Sequence, residues 1–273
     1  MNLNDLIQKN INIGYKRIDA ISKVSQDIVL SKISKSNFKN NITIKGGVVM
    51  HNISNDIRRA TRDLDLDFIK YSLEDSCIKN FISRLNQVND GIEIQVIGNI
   101  IKLHHQDYDG KRVNIRLKDN NNNIIDTKLD IGVHKLFDIE QDNYCFDLNV
   151  LNENVSLLIN SKEQIFAEKL KSLLKFGIRS TRYKDIFDFY YLINNCNINK
   201  EKLIKYISII IFNDETMREK TMLNIIERIS TITHNKSYKE MLNQAQNNWL
   251  DLSVDEVIES VIEYLRNLTT ISV

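Results

Sequence analysis

The sequence predicts an α+β protein: a mixed-sheet core with flanking helices, followed by a C-terminal helical domain. Three observations carry this expectation. Runs with two-residue alternation, such as "RDLDLDF", "KRVNIRLKD" and "NIIDTKLDIGV", are confined to the first half, and such alternation lays one row of side chains against a core. From about residue 160 onward, apolar residues recur at spacings of three and four, the period of an amphipathic helix. The turn clusters "HHQDYDG" and "DNNNN" fall between extended runs, where strands must end. The expected division is 1–150, the core with an N-terminal helical segment, and 151–273, the helical domain.

The opening 38 residues carry Leu6, Ile13, Ile18, Ile21, Val24 and Ile28 at helical spacing, which predicts helix. "NITIKGGVVM" changes to a short strand entering a Gly-Gly turn, and "VVMHNIS" returns to helix. In "RATRDLDLDF" the acids Asp63, Asp65 and Asp67 alternate with Leu64, Leu66 and Phe68, so an extended strand aims acids to one side and apolar groups to the other. "SLEDSCIKNFISRLNQV" reads as helix with Ser72 as N-cap. Extended runs at 93–103, 111–119 and 123–133 come next, and "DIEQDNYCFDLNVLNEN" reads as a linker without flexible composition. Five helical stretches complete the chain: "SKEQIFAEKLKSLLKF", "TRYKDIFDFYYLI", "KEKLIKYISIIIF", "TMLNIIERIS" and "VDEVIESVIEYLRNL".

With 273 residues, 42% hydrophobic and 27% charged, the chain is long enough to bury a sizeable core. No stretch approaches the roughly 18 to 20 uninterrupted apolar residues of a membrane span, and the first twenty residues lack a signal-peptide apolar block. No membrane partner and a cytoplasmic location are therefore expected. Cys77, Cys145 and Cys196 are few and far apart, which suggests neither a disulfide framework nor a zinc knuckle; they are expected to be buried small apolar residues. A formal charge of +1 argues against coating nucleic acid through bulk charge. The charge is nonetheless uneven: residues 1–40 carry seven Lys/Arg against three Asp, and residues 161–184 carry seven against two Glu. Either segment suits a polyanion or a solvated helix face.

Three constellations carry chemistry. At Gly46-Gly47 a strand gives way to helix, so backbone amides can approach an anion without Cβ obstruction. The acid pair Asp63 and Asp65 follows shortly after, and magnesium takes a few carboxylate oxygens while keeping positions open for water and phosphate. A third acid is available in "IIDTKLDIGV", where Asp130 shares parity with Lys128 and Asp126. With the two strands side by side and acid faces aligned, Asp130 joins the pair around an ion, and an acid raised in pKa among like charges suits receipt of a hydroxyl proton. In "EQIFAEKLKSLLKFGIRSTRYKDIFDFYYL", Lys169 lies at the margin of the apolar stripe, whereas Lys171 and Lys175 fall on the solvated side. Lys169 is thus placed either to hold a triphosphate or to form an interhelical ion pair with Asp185, which stands three residues before Asp188. His51, His104, His105, His134 and His234 show no zinc-hydrolase spacing.

"KGG", "RATRDLDLD", "KLDIGV" and "AEKLKSLLKFGIRSTRYKDIFDFYYL" together resemble, in order, the motifs of the AbiEii/AbiGii toxin family, nucleotidyltransferases of the DNA polymerase beta-like superfamily. The resemblance spans about residues 42–195. It implies a nucleotidyltransferase core, toxin activity in a bacterial toxin-antitoxin or phage-defence operon, a cognate antitoxin, Mg2+ as cofactor and an NTP as substrate. Some relatives, the MenA-type toxins, add nucleotides to the 3' end of tRNA. Carried over, the resemblance makes Gly46 and Gly47 the nucleotide-binding turn and Asp63, Asp65 and Asp130 the metal-binding and catalytic acids. It makes Lys169 the phosphate-holding lysine and Asp185 the acid of the following motif. Gly47 stands where many superfamily members have serine, and Asp67 has no counterpart. Two other readings stay open: the same transfer to a protein or small-molecule hydroxyl, and a non-catalytic RNA-binding module.

Overall fold

The computed structural model describes residues 1–103, 110–136 and 138–270. The chain forms two compact units, Met1–Asn160 and Ser161–Val273. The first begins with α1 (Leu3–Ile13) and α2 (Arg17–Lys35) rather than one continuous helix, because Gly14 takes the left-handed conformation (φ +118°) that ends α1. Then follow β1 (Ile42–Lys45), α3 (Gly46–Ser54), β2 (Leu64–Phe68), α4 (Asp75–Leu85), β3 (Ile92–Val96), β4 (Ile101–Leu103), β5 (Gly110–Asp119), β6 (Ile124–Val133), β7 (Gln141–Leu148) and β8 (Glu153–Asn160). The strands make one mixed sheet in the order β3-β5-β6-β2-β1-β8-β7, with β4 also on β5. The β2–β6 and β1–β8 pairs are parallel and the others antiparallel.

The alternation read from the sequence is used as expected. Leu64, Leu66 and Phe68 of β2, Leu129 and Ile131 of β6, and Ile42 and Ile44 of β1 are buried. α2 packs on β6 and β8, and α4 on β3. The extended run at 93–103 is interrupted where Gly98 adopts φ +68°, which separates β3 from β4. Ser72 is not the N-cap of α4: Glu74 occupies that position, and the Ser72 hydroxyl accepts from the Glu74 amide in the turn before it. The stretch read as a linker is instead most of the β7–β8 hairpin. Phe146 and Leu148 are buried on one parity, and β8 docks against β1, so the boundary between units falls after Asn160 rather than after 150. Residues 104–109, with His104 and His105, lie outside the described residues.

The second unit comprises α5 (Lys162–Phe176), α6 (Lys184–Asn195), α7 (Lys200–Ile207), α8 (Met222–Thr233), α9 (Lys236–Leu242) and α10 (Val254–Leu268). The Ser161 hydroxyl caps α5 by accepting from the Gln164 amide at 3.2 Å. α10 buries Val254, Val257, Ile258, Val261, Ile262, Leu265 and Leu268, the three-four spacing of one helix face, against α6 and α8. The cysteines are not core residues: Cys145 is exposed on the outward phase of β7, and Cys77 and Cys196 are half-buried. Lys171 is not solvated either, since it pairs with Asp214 at 2.5 Å. No helix among the described residues is long and apolar enough to cross a membrane.

Candidate active site

Strand register builds the site. Lys45 of β1 lies opposite Asp65 of β2, Asp65 is in register with Asp130 of β6, and Asp130 lies opposite Arg112 of β5. Partners in register point to the same face of a sheet, and neighbouring strands are about 4.8 Å apart. Two carboxylates therefore stand side by side in the middle of a four-strand row, with a cation at each end.

The cations engage the acids directly. Arg112 donates from Nε and one terminal nitrogen to the two Asp130 oxygens, each at 2.7 Å. Its guanidinium is held above its ordinary pKa, first by that hydrogen bond and, against the opposing effect of burial, by the charges of Asp130, Asp63 and Asp65. Lys128 reaches Asp63 at 2.9 Å. Asp67 is not a solvated strand end: it is buried and pairs with the buried Lys45 at 2.7 Å. Nor is Asp130 surrounded by like charges alone, because Arg112 lies against it.

The Gly46-Gly47 bend adjoins this row. Gly46 has φ +70°, and a Cβ there would lie 2.5 Å from Asp65 Oδ2; a Cβ on Gly47 would lie 2.6 Å from Thr61 Oγ1. The two glycines are thus required by the segment that carries the acids. α3 starts at Gly46 with no side-chain cap, so its first-turn N–H groups are left for another acceptor. Gln26, buried on α2, donates to the backbone oxygen of Thr61 at 2.9 Å and of Asp63 at 3.4 Å, which fixes the entry to β2.

Among the described residues, no group of three His, Cys, Asp or Glu is arranged to hold a metal ion. The expected three-acid cluster is reduced to the adjacent pair Asp65 and Asp130, with Asp63 turned to Lys128. A pair of hard oxygen donors fits magnesium, which takes one or two carboxylates and completes its shell with water and substrate phosphate.

Lys169 and Asp185 lie in the second unit and form a cluster of their own. The buried Lys169 ammonium contacts Asp185 and reaches Asp188 at 2.9 Å, while Arg182 donates to Asp185 at 2.8 Å. Burial pushes the Asp185 carboxyl upward, but Lys169 and Arg182 outweigh it and hold the group below the usual carboxylate range. The interhelical ion pair weighed from the sequence is therefore present. Arg112, Lys45 and Gln26 were missed by sequence reasoning. The parity of Arg112, Asn114 and Arg116 along β5 was the available signal, and it acquires meaning only once β5 is laid beside β6.

A family model described as "Nucleotidyl transferase AbiEii toxin, Type IV TA system" matches residues 28–259. The chain belongs to the AbiEii nucleotidyl transferase toxin family. As an AbiEii protein it is a nucleotidyl-transfer enzyme and a toxin by family, with the mixed α+β architecture described above. The crystal structure of an antigenic nucleotidyltransferase-like protein from Paracoccidioides brasiliensis is similar over 81% of this AbiEii chain and 91% of that one, with 17% sequence identity and a TM-score of 0.47. No curated protein matches the chain in sequence.

Proposed function

We propose that this AbiEii enzyme transfers a nucleoside monophosphate from an NTP to the 3' hydroxyl of an RNA, with tRNA as the acceptor, releasing pyrophosphate. The observation that supports this best is the register of Asp65 with Asp130 beside the uncapped Gly46-Gly47 bend. The first-turn N–H groups of α3 receive phosphate oxygens, and the absent Cβ atoms of Gly46 and Gly47 let Asp65 and Thr61 close up against the bend. Asp65 and Asp130 would hold Mg2+, and Asp63, here paired with Lys128, would be the nearest further oxygen donor on β2's approach. The ion, when bound, supplies charge neutralisation at the attacking and leaving oxygens. Asp130 serves this reading as a metal ligand, in exchange for the Arg112 fork that it accepts here, rather than as the proton acceptor.

The resemblance gives Lys169 a phosphate contact and Asp185 the task of orienting it. Within the second unit the buried Lys169 ammonium lies against Asp185 and Asp188, the two carboxylates that hold it in place. The tRNA acceptor, the phage-defence setting and a cognate antitoxin partner are supported by the family resemblance. The basic segments offer RNA less charge than their composition suggests, because Lys23, Lys32, Lys35, Lys171 and Arg182 are spent on Asp27, Asp90, Glu153, Asp214 and Asp185.

The test incubates the purified chain with each labelled NTP and total cell RNA, total protein or an aminoglycoside, with and without Mg2+. Label is expected in RNA, only with Mg2+, and Asp65→Asn is expected to lower the rate at least about a hundredfold. Label appearing in protein or the aminoglycoside instead reassigns the acceptor. Undiminished labelling of RNA by the Asp65→Asn protein defeats the proposal.

A further inference from the structure

Arg112 is the cation most closely joined to the acid pair. Its fork meets both oxygens of the buried Asp130 at 2.7 Å, and its charge is felt by Asp63 and Asp65. A third of the Arg112 side chain (33%) is exposed, against 7% for Asp130, so the guanidinium can swing outward while the carboxylate stays. A carboxylate that accepts an in-plane fork keeps only its outer lone pairs for another cation. Arg112 and a divalent ion therefore compete for the same oxygens. A guanidinium that leaves Asp130 remains anchored on β5, within a strand or two of the acids, and its planar paired donors match a phosphate.

We propose that Arg112 is an exchange cation: it competes with the divalent ion for Asp130, and on yielding the carboxylate it binds the triphosphate of the nucleotide. This inference rests on the proposed nucleotidyl-transfer site. The same strand pair carries an internal comparison. Arg116 grips Asp126 with the same fork, at 2.7 and 2.8 Å, but one row pair further along the sheet, where neither Asp65 nor Asp130 is its cross-strand partner.

The experiment measures binding to the full chain of Mn2+ alone, and then, at saturating Mn2+, of the four nucleoside triphosphates carrying a methylene bridge between the α and β phosphorus atoms. Arg112→Gln is expected to bind Mn2+ about tenfold tighter and the favoured analogue about tenfold weaker, each change equal to about 1.4 kcal/mol; Arg116→Gln is expected to change neither. A cross-strand bridge with a purely structural role weakens both. Arg112→Lys, which keeps the charge but loses the fork, carries the same test with a smaller gain for Mn2+ should the glutamine protein fail to fold. Mn2+ affinity no tighter than wild type in a folded variant overturns the exchange, and unchanged analogue affinity overturns the phosphate contact. Wild-type protein that binds neither Mn2+ nor any analogue overturns the functional reading as well.

Discussion

Gly46 joins two constraints in one residue. It sits at φ +70°, and Asp65 Oδ2 occupies the place beside its absent Cβ. An alanine there meets the left-handed backbone penalty, about 1–2 kcal/mol, and displaces the Asp65 carboxylate. Gly46→Ala is therefore expected to lower the melting temperature and to reduce nucleotide transfer out of proportion to the folded fraction. A melt and a transfer assay on the same preparation check this; wild-type values in both would show that the bend does not position the acid. Asp67 teaches a second lesson at this scale. Its parity groups it with Asp63 and Asp65, yet the neighbouring strand hands it Lys45, so residues alike in sequence acquire different partners.

At the scale of elements, α5 and α6 are joined by charge as well as by apolar packing. Lys169 is the counter-ion of two buried carboxylates, Asp185 and Asp188. Removing one partner of a buried ion pair leaves an uncompensated charge, at a cost of about 3–5 kcal/mol. Lys169→Met is expected to lower the unfolding free energy of the second unit, read from its urea midpoint and slope, by that amount, and Asp185→Asn with Asp188→Asn in the same chain to recover part of it. An unchanged midpoint in Lys169→Met would mean that the cluster contributes little to holding these helices. Across β1, β2, β6 and β5 the energetic logic differs: in the row Lys45, Asp65, Asp130, Arg112 the two adjacent inner acids each have a cation on their outer side, which lessens the repulsion within the row.

Across the whole molecule, two buried carboxyls, Asp27 in the first unit and Asp185 in the second, respond to acid in opposite senses. In the first, burial pushes the Asp27 carboxyl up to about 6, against the pull of Lys23. A raised carboxyl pKa means the folded state binds the proton more tightly, so its stability is greatest below the unfolded value near 3.9 and declines as pH rises toward about 6. In the second unit Asp185 is depressed, so its contribution is present above about 3.9 and disappears as pH falls through the lowered value. Hydrogen-exchange protection, corrected for intrinsic rates, is expected to fall in α2 peptides between pH 4 and 6 and to rise in α5 and α6 peptides as pH climbs toward 4. Asp27→Asn flattens the first trend if Asp27 causes it; an unaltered slope in that variant assigns the trend to another group.

The sequence by itself determined what is local to each strand or helix. Alternation in "RDLDLDF" and "KLDIGV" decided which side chains are acidic and which are core, and three-four spacing decided α5 to α8 and α10. The glycine pair marked the bend before any fold was known. Only the tertiary structure decided which strands meet and in what register. That step places Asp65 beside Asp130, brings Arg112 and Lys128 onto the acids, turns an expected linker into the β7–β8 hairpin and gives Lys169 both Asp185 and Asp188 as partners. The physical reason is that periodicity is a property of one segment, whereas register is set by the turns and by the core shared among segments far apart in the chain.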